Sequence, residues 1–271
     1  MTTPCTTGDL AIAAIAFGNR YVRWSLAMIE SLRRIGEFAG PIYLATDRTD
    51  AYEGLDGVHA IASTRPHDTL EAKRHKTTVL DWIPEGDVLY LDVDILMGAP
   101  LAPAIAAARR GDKPLAVFPQ PDREGQPYHG GVVFVRRGAA AGDALDRWRR
   151  EIDSGRHHRD QLALGAALHP EDVETLPVEL LLFPGAESFA NGEYRTFNHI
   201  TMTATQRGTS PGRIARYVRG LGIETRPVVA TDYWRYIRRQ VPRRLRRTLR
   251  RWLGLENWRK KGKSGRPARV R

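Results

Sequence analysis

Two carboxylates at the end of an apolar run are the first residues able to do chemistry. Residues 87–96 read DVLYLDVDIL, so Val88, Leu89, Tyr90 and Leu91 form a buried strand that delivers Asp92 and Asp94 at its carboxyl end. Ligands of open α/β sheets sit at the carboxyl ends of the strands. In an extended stretch residues i and i+2 point to one side, so both acids face a common point. Hard divalent cations such as Mg²⁺ or Mn²⁺ take carboxylate oxygens together with substrate phosphate oxygens. A pair of solvated acids at a strand-to-loop junction is the plainer account of the same spacing, and the strongly apolar strand before it favours a site.

The elements that must position this pair alternate along the chain. Strands are expected at Leu10–Phe17, Pro41–Thr46, Val58–Ala62, Val88–Leu91, Pro114–Pro119 and Gly131–Arg136. Helical spacing covers Asn19–Ile35, Asp68–Trp82, Leu101–Arg110, Ala139–Ile152, Arg159–Leu168 and Ile214–Gly220. The stretch Leu176–Gly192 is loop-rich, and Thr196–Met202 is a strand end or loop carrying His199. This alternation predicts an α/β fold with a mainly parallel sheet and helices on both faces.

Several polar residues on these elements carry two readings. Lys73, Arg74 and Lys76 lie on the helix before the acidic pair and are either a solvated face or a basic cluster. Asp160, followed by Gln161, is well placed to cap a helix, and a capping acid can also face a cleft. Gly130 and Gly131 mark a bulge before a strand, or a close approach of backbone to ligand. His157 and His158 read as surface residues.

Together these residues resemble a family. The run YLDVDIL is similar to the Asp-x-Asp region of GT-A-fold glycosyltransferases, and most similar to glycosyltransferase family 8 and related nucleotide-diphospho-sugar transferases. Ala16–Tyr21 follows the first strand where such enzymes bind base and ribose, which implies donor contacts for Phe17, Asn19 and Tyr21. Thr46 and Asp47 close the second strand in the family's pattern, and Lys73, Arg74 and Lys76 match a basic position at the sugar nucleotide. The segment YHGGVVFV, with His129, Gly130 and Gly131, resembles the strand that floors the donor site. Asp160 and Gln161 resemble the pair beside the donor sugar, and His199 the late histidine that completes a metal site with Asp92 and Asp94. Asp92 and Val93 would also touch the donor. The resemblance covers roughly residues 10–205. It implies a Rossmann-like GT-A fold and retaining transfer from a UDP-sugar, with Mn²⁺ or Mg²⁺, to a hydroxyl. Two departures stand out: His129 replaces the usual Asn, and no Lys-Pro-Trp follows His199, leaving Arg207 and Arg213 as the nearest candidates to grip the pyrophosphate.

Other classes fit less well. Haloacid-dehalogenase phosphohydrolases carry Asp-x-Asp on the first strand and continue to Thr, whereas Ile95 and Leu96 follow here. A nucleotidyltransferase would need a Gly-rich loop ending in Arg or Lys after its first strand. A non-catalytic binding module, with the body as scaffold, stays open.

Composition divides the 271 residues into two objects. The net charge of +11 is not shared: residues 233–271 hold 16 Lys+Arg and one acid, so residues 1–232 carry 26 bases against 30 acids. The acidic body is expected to be the glycosyltransferase domain. In the tail, Trp234, Ile237, Val241, Leu245, Leu249 and Trp252 form one helical stripe among arginines, with a disordered end from Lys260. Such a cationic amphipathic helix suits an anionic membrane surface, though its stripe could pack on the body instead. Nucleic acid is disfavoured, because the Trp spacing serves one helix face rather than base stacking. One cysteine, Cys5, excludes an internal disulfide. No apolar run approaches the ~20 residues of a membrane span, so a cytoplasmic protein, peripheral at the inner face of the plasma membrane, is expected. The full chain should then co-sediment with anionic vesicles at low salt and leave them as salt rises, while a chain ending at residue 232 stays in solution. A full chain that ignores such vesicles would overturn the membrane reading.

Overall fold

The computed structural model describes residues 10–67, 69–120, 125–200 and 211–225. Cys5, Arg207 and the basic tail lie outside these residues.

The central sheet starts from β1 (Leu10–Ala16), whose sequence LAIAAIA is apolar on both faces, as a strand covered by helices on both sides must be. To one side lie β2 (Ile42–Thr46) and β3 (Val58–Ala62), each parallel to its neighbour. On the other lies β4 (Asp87–Leu91), also parallel to β1. Next come β7 (Tyr128–Val135), β6 (Leu115–Pro119) and β8 (Val173–Thr175), giving the order β3-β2-β1-β4-β7-β6-β8. Only β7 runs against the rest of this sheet. A smaller sheet joins β5 (Ile95–Met97), β10 (Phe197–His199) and β9 (Leu181–Leu182), in the order β5-β10-β9.

Helices cover both faces of the large sheet. α1 (Gly18–Arg34) packs on β1 and β5, burying Met28 and Leu32. On the other face α5 (Ala139–Asp153) and α6 (Asp160–Ala167) pack Leu145, Trp148, Ile152 and Leu164 against Ala11, Val88, Tyr90, Val117 and Val133. Trp148 is fully buried, and its indole N–H donates to the Asp160 carbonyl at 3.1 Å, fixing the first turn of α6. The remaining helices are α2 (Thr69–Thr77), α3 (Val79–Trp82), α4 (Ala102–Ala108), α7 (Ala186–Asn191) and α8 (Pro211–Gly220). Among the described residues no helix is long and apolar enough to cross a membrane.

The expected alternation is present, with four corrections. The single helix expected over 68–82 is two: Thr78 leaves helical geometry at φ −115°, ψ 17°. The Thr77 and Thr78 hydroxyls donate back to the carbonyls of Arg74 and His75, at 2.8 and 3.5 Å, competing with the helical ladder. The strand expected from Gly131 begins at Tyr128, before the glycine pair. The loop-rich stretch 176–192 contains β9 and α7, closed by Gly192 in the left-handed region. Finally, β5 directly follows the acidic pair, where no strand is expected.

One irregularity matters for the site. β7 keeps register with β4 through Leu91↔Val132, but its register with β6 jumps from Val117↔Val133 to Phe118↔His129. Gly130, Gly131 and Val132 are thus extra residues opposite β6, a bulge that carries the glycine pair over the end of β4.

Trp148 links this core to the site through α6. Trp148→Phe should cost about 1 kcal/mol for the lost hydrogen bond, and Trp148→Ala about 3–5 kcal/mol, both measured by urea unfolding.

Candidate active site

β4 ends at Leu91, and the chain then turns. Asp92 donates its N–H to Gly131 O at 2.8 Å, and Ile95 donates to Asp92 O at 3.0 Å. Asp92, Val93 and Asp94 therefore form a tight turn into β5, not the extended stretch expected. The two carboxylates still converge, because the turn and the register of β5 bring them together. β5 pairs antiparallel with β10, setting His199 opposite Ile95, and Ile200 donates to Asp94 O at 2.9 Å. Ligand atoms of Asp92, Asp94 and His199 all lie within 4.8 Å of one another. Val93 buries its side chain in the core.

A basic cluster balances these acids. Lys76, on α2, is 1% exposed and donates to Gly130 O and to Asp160 Oδ2, both at 2.7 Å. It also lies 3.0 Å from Asp92 Oδ1 and over the Tyr90 ring, 4.9 Å from its centre. Lys73 Nζ and the Tyr90 hydroxyl donate to the same Oδ1, at 3.2 and 2.8 Å. Burial alone would raise the Asp92 pKa, but Lys73, Lys76 and His199 outweigh it and hold the carboxyl well below the usual range. Asp160 is likewise lowered: against burial, Lys76 and Lys73 prevail. Burial would lower the Lys73 pKa, yet Asp92, Asp160 and Asp94 drive it upward. Burial, followed by the negative charge of Asp92, pushes the Tyr90 phenol well above its ordinary value, so it remains a donor.

Gly131 permits this convergence. A Cβ there would come within 2.9 Å of both Asp92 Oδ2 and His129 Cε1, closer than such contacts occur. His129 is fully buried, and its Nε2 lies 2.8 Å from His199 Nδ1; His199 Nε2 lies 3.2 Å from Asp94 Oδ1. Phe183 packs on both rings, with centroids 5.2 and 5.3 Å away. Next along β10, the buried Asn198 amide donates to Leu96 O at 3.1 Å and accepts from the Tyr217 hydroxyl of α8 at 2.9 Å. The strand that presents His199 is thereby tied to β5 and to α8.

The other expected donor residues divide. Asp160 does not cap α6: Arg159 holds the cap position, and the Asp160 carboxylate turns to Lys76. Gln161 lies beside Gly130, with its Cγ 3.4 Å from where a Cβ would stand. Arg74 turns to Asp153 of α5, at 2.6 Å. Thr46 and Asp47 tie β2 to the β1–α1 junction: Thr46 Oγ1 donates to Ala16 O at 2.8 Å, and Asp47 accepts from Gly18 N at 2.7 Å. Gly18 has φ 76°, a conformation that favours glycine. Asn19 accepts from Arg48 at 2.6 Å, while Tyr21 is 43% exposed. The Phe17 ring meets His75, 5.2 Å between centroids. His157 pairs with Glu151 at 3.1 Å. Tyr90, His75 and Phe183 are contacts that sequence reasoning missed; Tyr90 had a signal, since it lies two residues before Asp92 and shares its side of the strand.

The cluster fits a divalent cation. Two carboxylates supply hard oxygen donors and the imidazole a borderline nitrogen, a set that suits a divalent cation, and three acids face two ammonium groups across Asp92, Asp94, Asp160, Lys73 and Lys76.

No protein-family model matches the chain, and neither does any curated protein. Solved structures do. The apo glycosyltransferase GlyE of Streptococcus pneumoniae TIGR4 is 15% identical with a TM-score of 0.56, covering 84% of this chain and 64% of that one. The galactosyltransferase LgtC, with donor and acceptor sugar analogues, is 15% identical with a TM-score of 0.54, covering 80% and 97%. The bifunctional glycosyltransferase WbbM is 12% identical with a TM-score of 0.53, covering 74% and 47%. This chain thus spans about half to two thirds of GlyE and WbbM and nearly all of LgtC. The chain has the GT-A fold of glycosyltransferases.

Lys76, itself buried, holds two partly buried carboxylates together. Lys76→Met should destabilise by about 3–5 kcal/mol at neutral pH. Asp160 has a lowered folded pKa in the native chain, so its contribution is present above about pH 4 and is lost as acid titrates it. In the variant, burial without the cation acts to raise the pKa, so the deficit should shrink on acidification from about pH 7 towards about pH 4. Urea unfolding across that range measures it; a deficit independent of pH would refute the pairing.

Proposed function

We propose that the chain is a glycosyltransferase that moves a glycosyl group from a nucleoside diphosphate sugar to a hydroxyl, using a divalent cation held by Asp92, Asp94 and His199. The observation that carries this reading is the convergence of those three side chains at the carboxyl end of β4 in a GT-A sheet. A phosphohydrolase fits poorly, because the acidic pair leaves the fourth strand in chain order rather than the first.

The cation, when bound, supplies Lewis-acid stabilisation of the charge growing on the diphosphate. The chain's own groups divide the remaining work. Lys73 is 25% exposed against 1% for Lys76, so Lys73 is the ammonium free to turn towards a phosphate. Lys76 instead keeps Asp160 ionised and aimed past Gly130. Gly130 and Gly131 floor the donor sugar with bare backbone, and Gln161 flanks it. Phe17, Asn19, Tyr21, Thr46 and Asp47 border the nucleotide end, and Arg207 serves the pyrophosphate. A UDP donor, Mn²⁺ or Mg²⁺, and a retaining outcome rest on the family resemblance. An acceptor at the cytoplasmic membrane face, lipid-linked or a nascent glycan, rests on the composition of the basic tail.

Incubation with UDP-sugars and Mn²⁺ should give slow donor hydrolysis. Asp94→Ala should lower it by about a hundredfold or more, the scale of losing one contact to developing charge, with the circular dichroism spectrum unchanged. Donor binding unaltered in both Asp92→Ala and Asp94→Ala would defeat the proposal.

A further inference from the structure

Resting on the cation reading above, we propose that His129 is a positioning residue that sets which nitrogen of His199 carries a proton and so makes His199 able to ligate. His129 Nε2 and His199 Nδ1 are 2.8 Å apart, which leaves room for one hydrogen between two neutral rings. The rings are 0% and 6% exposed, so water does not compete for that bond.

With both rings neutral, two arrangements satisfy this contact. In the first, His129 Nε2–H donates to His199 Nδ1, and His199 carries its own proton on Nε2, 3.2 Å from Asp94 Oδ1. That arrangement has no lone pair facing the acids. In the second, His199 Nδ1–H donates to His129 Nε2, and His199 Nε2 turns a lone pair towards Asp92 and Asp94. His129 then carries its proton on Nδ1. Both arrangements are neutral and hold the same number of protons. Passing from one to the other moves the bridging proton to His199 and relocates the other from His199 Nε2 to His129 Nδ1. Only the second binds a cation, and only an acceptor at the position of His129 Nε2 stabilises it in a site closed to water. A partner on the remote nitrogen of a ligating histidine fixes tautomer and ring orientation.

The surroundings hold the acceptor in place. His129 enters the bulge just before Gly130, and a side chain on Gly131 would strike its ring at Cε1, 2.9 Å, and Nε2, 3.1 Å. Phe183 packs on both imidazoles.

The test uses the full chain and Mn²⁺ alone, with free Mn²⁺ counted by electron paramagnetic resonance. His129→Leu keeps the bulk without an acceptor and should bind about 10–100-fold more weakly. His129→Gln places an amide oxygen near the lost nitrogen and should bind close to wild type. In ¹⁵N-correlated spectra of the wild type saturated with Mg²⁺, His199 should be protonated at Nδ1. Wild-type affinity in His129→Leu overturns the inference, as does a loss in His129→Gln equal to that of Leu. If His129→Leu does not fold, the spectra decide: a His199 proton on Nε2 in the Mg²⁺-bound protein overturns it. A wild type that binds no Mn²⁺ overturns the cation reading itself, and this inference with it; every other negative result leaves that reading standing.

Discussion

A buried ammonium group has to be matched by charge, and the site is organised around one. Lys76 sits at 1% exposure between Asp92, Asp160 and the carbonyl of Gly130. Each partner comes from a different element: the end of β4, the start of α6 and the bulge in β7. Leaving any one charge buried and alone is costly, so the three elements are bound to one mutual position. The same ion pairs hold the Asp92 and Asp160 pKa values low against a burial that by itself would raise them.

That knot accounts for only half of the site. Asp94 and His199 are brought in by the second sheet, where β5 reverses the chain straight after β4 and pairs with β10. The acidic pair is therefore the hinge between two sheets, and its backbone is used by both: Gly131 accepts from Asp92 N, and Ile200 donates to Asp94 O. Gly131 lets the bulge of β7 close over the end of β4, because a Cβ there would collide with the Asp92 carboxylate and the His129 ring. Core, sheet junction and chemistry thus share the same few residues.

How far this was legible in the sequence follows from the range of each interaction. Asp92, Asp94 and their strand are local, and the apolar run DVLYL announces them. The basic positions on α2 are readable as a cluster, but the sequence cannot separate Arg74, which turns to Asp153, from Lys73 and Lys76. Helical spacing places all three on one stretch, and their directions depend on what α5 and β4 offer. Tyr90 passed as a core residue because a phenol in an apolar strand has the same pattern whether or not its hydroxyl meets an acid. β5 is too short for periodicity to detect. The contact between His129 and His199 spans 70 residues, and no local signal encodes it. The capping reading of Asp160 failed for a related reason: local geometry favoured a cap, and a distant lysine offered a stronger partner.

The distribution of exposure separates fixed charge from adjustable charge. Lys76 and the Asp160 carboxylate cannot exchange partners without leaving a buried ion uncompensated. Lys73 is different, since a quarter of its side chain reaches solvent and water can meet its ammonium when the pair with Asp92 opens. Three donors share Oδ1 of Asp92, from Lys73, Lys76 and Tyr90. Removing Lys73 from that set leaves the oxygen still neutralised by Lys76 and hydrogen-bonded by Tyr90. Its departure should cost less than loss of Lys76, which is buried and holds Asp160 as well. A site built this way can rearrange one cation while the frame that aims its carboxylates stays rigid.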